Sequence, residues 1–185
     1  MIKMKLFSQQ PMNPQELVHT QSSGPQSHLE DSEQLPLDTF YHSESFHDGV
    51  KNLAEHCPIS AKKLLEMCQG NEQLMKTYDD LVKQAIRYVE TILELQDEIS
   101  HPDRYDKELI MTRDRARGFA HTAFIDVTNK MSRELAGAGK DNKFFASVII
   151  KLPNGSYSRP QYTLFAMQFA MSYYLSRHPE LTDSI

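Results

Sequence analysis

The sequence predicts an all-α fold: a helical bundle built on one long antiparallel helix hairpin, behind a polar, acidic N-terminal tail. Three observations predict it. Apolar residues from Leu74 to Ile99 recur at alternating spacings of four and three, the period of one helix face. Prolines and glycines punctuate the ends of such stretches, at Pro58, Gly70, Pro102 and Gly137. The first 44 residues lack any such period and are mostly Gln, Ser, Pro, His and acid.

The charge divides the chain at the same place. The net charge is −5. Residues 1–44 hold Lys3 and Lys5 against Glu16, Glu30, Asp31, Glu33, Asp38 and Glu44, which is −4 and leaves −1 for the rest. The division is therefore a largely disordered tail at 1–44 and a bundle domain at 45–185. A nearly neutral body argues against a broad nucleic-acid surface, which needs a positive face. Met1–Phe7 carries two lysines but not the apolar run of a secretory signal. No stretch is long and apolar enough for a membrane span. The expected location is the cytoplasm, with Cys57 and Cys68 as free thiols.

The elements follow in order. A first helix begins near Ser45, with Ser45 and Asp48 as a capping box, and Pro58 ends it. A second spans about Ser60–Gln69, with Ala61, Leu64, Leu65 and Cys68 on one face and Gly70 as its stop. The third spans about Asn71–Ser100. Leu74, Tyr78, Leu81, Ala85, Tyr88, Ile92, Leu95 and Ile99 form its stripe, and Met75, Val82, Ile86, Val89 and Leu93 widen it. A seam that broad suits contact with several helices.

The fourth helix restarts at Pro102, capped by Ser100 with Asp103, and runs to about Leu135 before Gly137 and Gly139. Asn142–Leu152 fits a helix behind Asp141 better than a strand. The β-branched run Val148–Ile150 before Pro153-Asn154-Gly155 keeps a small β-hairpin near 144–158 as the alternative. The last helix starts near Pro160, with Ser158 and Gln161 as a capping box, and ends near Arg177. It is apolar around much of its circumference, so it is either central or a dimer surface, with Phe165, Phe169, Tyr173 and Tyr174 as the interaction residues.

The one patch with chemistry is Arg113–His121. Arg113, Arg117 and His121 stand at four-residue steps on one helix face, while Asp126 and Asn129 turn away from that line. His moves protons near neutral pH and arginine binds phosphate, so Arg115 and His121 are the candidate catalytic pair, supported by Arg113, Arg117, Asp126 and Asn129. The five residues between Arg115 and His121 place the pair within the Arg-to-His spacing of the HEPN superfamily, which it resembles. That resemblance implies a dimeric helical ribonuclease working without metal at the dimer cleft. Ala116 departs from the polar residue the family favours after its arginine. The plainer assignment is a solvated arginine face pairing with Asp114 and Asp106, and a half-buried His121. The run from Arg117 through Ala120, His121, Ile125, Asp126 and Asn129 to Asp141-Asn142 also resembles small helical proteins of unknown function from Gram-positive bacteria, which implies a bacterial cytosolic protein.

Two further groups are weaker. Glu90, Glu94 and Glu98 share a helix face, yet lack paired metal-binding spacings and read as its wet side. His47, His56, Cys57 and Cys68 have no zinc-ligand spacing. No metal and no cofactor are expected. The sequence therefore favours a non-enzymatic, bacterial or phage-borne interaction or regulatory protein. It would work through a protein partner or as a homodimer, with inhibition of a nucleic-acid-binding protein as one form. The ribonuclease is the alternative.

Overall fold

The computed structural model describes residues 44–181, with side chains from Gly49 onward, and these fall within one unit, Leu35–Ile185. Of the disordered tail expected at 1–44, residues 1–43, with Met1–Phe7 among them, lie outside the described residues, and Glu44 is the first residue of α1. Among those described there are five α-helices and no strand: α1 (Glu44–Glu55), α2 (Ala61–Cys68), α3 (Glu72–Ser100), α4 (Lys107–Gly137) and α5 (Arg159–Arg177). The fold is all-α.

Local chemistry sets most boundaries. Ser60 caps α2, its hydroxyl accepting the Lys63 amide at 3.3 Å. Gly70, at φ 80°, takes the left-handed step that ends α2. One residue later the Asn71 side chain accepts the Leu74 amide at 3.0 Å and starts α3. At the far end of α4, the Lys140 amide reaches the Leu135 carbonyl and the Gly139 amide reaches that of Ala136. Those two bonds, with Gly139 at φ 69°, form a Schellman stop.

Four expected boundaries change. Ser45 lies inside α1, so it is not the residue before the helix, and α1 ends at Glu55 before Pro58 is reached. Ser100 does not cap α4: its hydroxyl donates back to the Gln96 carbonyl. Pro102 opens a separate 3-10 turn, Pro102–Arg104, and α4 begins at Lys107, where the Asp106 carboxylate takes the amides of Glu108 and Leu109. A carboxylate at a helix N-terminus also meets the positive end of its dipole, which favours Asp106 over Ser100. Ser158 precedes α5 but makes no side-chain cap bond.

The segment after α4 is divided between the two readings. A 3-10 turn, Lys143–Ser147, gives way to a turn at Pro153-Asn154-Gly155, closed by a single bridge between Lys151 and Tyr157. Gly155 at φ 82° and the Asn154 carboxamide, which accepts the Ser156 amide, hold it. The expected helix over Asn142–Leu152 ends at Ser147 because the β-branched run then pairs across this turn.

The core forms where α5 lies between α1, α2 and α3. Tyr78 packs edge-on to Phe169, and Phe165 touches Phe124, Phe145 and Phe169 with ring centroids 5.5–5.9 Å apart. Phe165 and Phe169 are fully buried, so they belong to the core and not to an interaction surface; Tyr173 and Tyr174 are half-buried and pack on its margin. A helix apolar on most sides is central when neighbours cover it from several directions, as they do here. Thr163 meets Tyr88, and Phe169 meets Tyr78, so α5 runs antiparallel to α3 and begins at the level of Tyr88.

Candidate functional site

Beyond Tyr88 the α3–α4 hairpin loses its third helix. From Ile92 to Phe119 no residue is fully buried, whereas Thr91 and Ala120 are. This stretch is an arm formed by the last nine residues of α3 and the first thirteen of α4, about 13 and 20 Å of helix at 1.5 Å per residue. The apolar stripe of α3 continues into it, but Ile92, Leu93 and Leu95 are only partly buried there. Ile99 is 60 % exposed and Tyr105, in the connection, 67 %.

The two faces of α4 in the arm differ. Met111, Arg115 and Phe119 recur every four residues and share an outer line. All three are exposed, Met111 by 45 % and Phe119 by 65 %. Arg113, Arg117 and His121 form the inner line, the two arginines partly buried and His121 buried. Arg113 pairs with Glu94 of α3 at 2.8 Å, and Arg117 holds Asp114 through two nitrogens at 2.7 and 3.1 Å. The Asp114 bond raises the already high Arg117 pKa.

His121 ends the inner line inside the bundle, 7 % exposed. Its Nδ1 lies 2.7 Å from the Tyr88 hydroxyl, which lies 2.8 Å from the Thr163 hydroxyl. Thr163 donates to the Arg159 carbonyl. Proton counting then orients the chain: Thr163 has one hydrogen and uses it, so Tyr88 donates to Thr163 and His121 Nδ1–H donates to Tyr88. Nε2 is left bare and buried, without a hydrogen-bond partner among the described residues. Burial, then the positive charges of Arg159 and Arg117, push the His121 pKa below its usual value, so the ring is held neutral.

The structure thus separates the expected catalytic pair. Six positions along a helix rotate by about 240°, and Arg115 is exposed on the outer line while His121 is buried on the inner one. The arginines that act on His121 are Arg117 and Arg159. The half-buried histidine expected is more deeply buried than that. Of the two acids expected to pair with the arginines, Asp114 does, and Asp106 serves as the α4 cap instead. Asp126 and Asn129 line a different feature, an open groove shared with Asp80, Gln84, Lys130 and Arg133. Asn129 accepts the Tyr162 hydroxyl there at 2.9 Å.

Sequence reasoning missed Tyr88, Thr163 and Arg159 as His121's neighbours. Tyr88 was legible only as a stripe residue, and nothing local marks a partner 33 or 75 positions away. The acid ladder is neutralised in part: Glu90 and Glu94 both meet Arg87, and Glu94 also meets Arg113. Cys57 and Cys68 are free, and burial pushes both thiols up to about 11. Among the described residues no three metal-binding side chains converge, and no helix is long and apolar enough to cross a membrane. No family model, curated protein or solved structure matches the chain.

Proposed function

We propose that this protein is a helical interaction module whose working surface is the arm, Ile92–Phe119, and whose first partner is a second copy of itself. The observation that carries this reading is the exposed Met111–Arg115–Phe119 line. Methionine, arginine and aromatic side chains are the types enriched at the centres of protein interfaces. On this reading Arg115 is an interface residue.

The choice of a second copy rests on the arm's own composition. Its α3 half carries Glu94, Asp97 and Glu98 and no base. Its α4 half carries Lys107, Arg113, Arg115 and Arg117 against Glu108 and Asp114. A two-fold contact brings the same patch against itself, so an arm with one acidic and one basic helix is complementary to its own copy. Two such hairpins complete a four-helix bundle, the arrangement that covers a stripe left open by two helices. Free thiols suit a reducing cytoplasm.

Sedimentation equilibrium across a concentration range tests this. The expected result is reversible dimerisation, lost in Phe119→Asp and in Met111→Asp with the unfolding midpoint unchanged. A wild type that stays monomeric at all concentrations overturns it.

A further inference from the structure

The turn between α4 and α5, apart from the arm, brings together the groups for a reaction of the chain with itself. Leu152-Pro153-Asn154-Gly155 closes a short hairpin. The Gly155 amide donates to the Leu152 carbonyl at 2.9 Å, and the Leu152 amide to the Ser156 carbonyl at 2.8 Å. Beyond these lie the Lys151–Tyr157 bridge and a bond from the Ser158 amide to the Ile150 carbonyl. Every residue from Ile150 to Ser156 is exposed. A hairpin held by a few bonds in contact with water is the kind of segment that opens locally at low cost.

The sequence has six asparagines, and Asn154 alone is followed by glycine. The backbone nitrogen of the next residue can reach an asparagine carboxamide carbon and close a five-membered ring, and a Cβ on that residue crowds the approach. Gly155 has no Cβ, and among the described residues only its chain neighbours lie within 4 Å of the place one would take. A second observation concerns the carboxamide oxygen. Asn154 Oδ1 accepts the Ser156 amide at 3.0 Å and the Ser156 hydroxyl at 2.7 Å. Two donors draw electrons from the carbonyl carbon and stabilise the negative charge its oxygen takes on when a nucleophile adds. Both bonds span only two residues, so they outlast an opening of the hairpin that frees the Gly155 nitrogen from Leu152.

We propose that Asn154 is a site of self-deamidation, with Gly155 as the nucleophile and Ser156 as the activating residue. Hydroxide removes the Gly155 amide proton, and the nitrogen attacks Cγ of Asn154. The N–Cγ bond forms, the Cγ–Nδ2 bond breaks, and Nδ2 leaves as ammonia with a proton from water. Water then opens the succinimide ring. Breaking the bond from nitrogen to Cγ gives aspartate at position 154, and breaking its bond to the main-chain carbonyl carbon gives isoaspartate. Either product takes the net charge from −5 to −6. Isoaspartate also adds a carbon to the main chain. The Leu152–Ser156 bond then loses its register, and Tyr157 its seat against the Tyr162 ring, whose centroid is 6.0 Å away.

The test is incubation of the full folded chain at neutral and at alkaline pH, with peptides mapped by mass spectrometry against aspartyl and isoaspartyl standards. The expected result is both products at position 154, faster at higher pH because the attack needs a deprotonated nitrogen. Asn52, Asn71, Asn129 and Asn142 should stay intact over the same period. Gly155→Ala should slow the reaction about tenfold or more. The φ of 82° strains an alanine there, but an opened turn does not restore a reaction that the Cβ itself hinders. Ser156→Ala keeps the amide donor and loses the hydroxyl, and should slow the reaction several-fold with the helical circular dichroism unchanged. Three results overturn the proposal: no conversion at position 154 in the folded chain while the same chain in denaturant converts, equal rates in wild type and Gly155→Ala, or Ser156→Ala reacting as fast as wild type or faster.

Discussion

α3 and α4 each have an inner and an outer half, and the two halves use the same kind of sequence for different ends. In the inner half, Leu74, Tyr78, Leu81, Ala85 and Tyr88 meet α5 and are buried. In the outer half, Leu95 and Ile99 continue the same stripe, but α5 has ended and no residue is fully buried. Periodicity states which face of a helix is apolar. It does not state what covers that face, and here full cover stops at Thr91.

The largest effect that sharpens the contrast is in the core. Phe169→Ala should destabilise the chain by about 3–5 kcal/mol, as a cavity among Tyr78 and Phe165. Urea unfolding followed by circular dichroism measures it. The same experiment on Ile99→Ala at low protein concentration should give a change within about 0.5 kcal/mol, because that side chain is already in water. Equal losses at the two positions would erase the distinction between the halves.

His121 comes next. His121→Ala leaves the Tyr88 hydroxyl with one partner fewer and should cost about 1–3 kcal/mol. It should also change the pH profile. The folded-state pKa of His121 is lowered, so below about 6.5 the unfolded chain binds the proton that the folded ring refuses. Stability from this group is present above that value and is lost as pH falls from it towards the folded-state pKa. Glu90, whose pKa burial raises, acts in the opposite sense, so the difference between wild type and His121→Phe isolates the histidine. A variant with the same acid slope as wild type would contradict a neutral His121.

A modest effect lies within the outer half. Arg113 and Glu94 are partly exposed, so a double-mutant cycle to alanine should give a coupling of about 0.5–1 kcal/mol that falls in high salt. A coupling several times larger would mean that the pair is sealed from water, and that the arm is part of the core.

Much of the fold was legible. Ser60, Gly70, Asn71 and Gly139 mark helix ends by their own side chains or backbone freedom, and the α3 stripe gave the hairpin its first strut. Pro102 misled because proline suits both a first helical turn and a 3-10 turn; the stronger carboxylate cap at Asp106 decides it. Phe165 and Phe169 were ambiguous because an all-round apolar helix suits a core or an interface equally until its neighbours are known. Of the candidate site, the inner line Arg113–Arg117–His121 was legible from spacing alone. The Tyr88–Thr163 links were not, because they join separate helices.

Amide hydrogen exchange along α3 and α4, followed as protein concentration rises, tests the central claim most directly. At low concentration, amides of Leu74–Val89 and Ala120–Leu135 should exchange slowly and those of Ile92–Phe119 quickly. Raising the concentration should slow exchange in Ile92–Phe119 alone. Protection that is uniform along both helices, or a concentration effect confined to α5 or the inner halves, would contradict the arm as the docking surface.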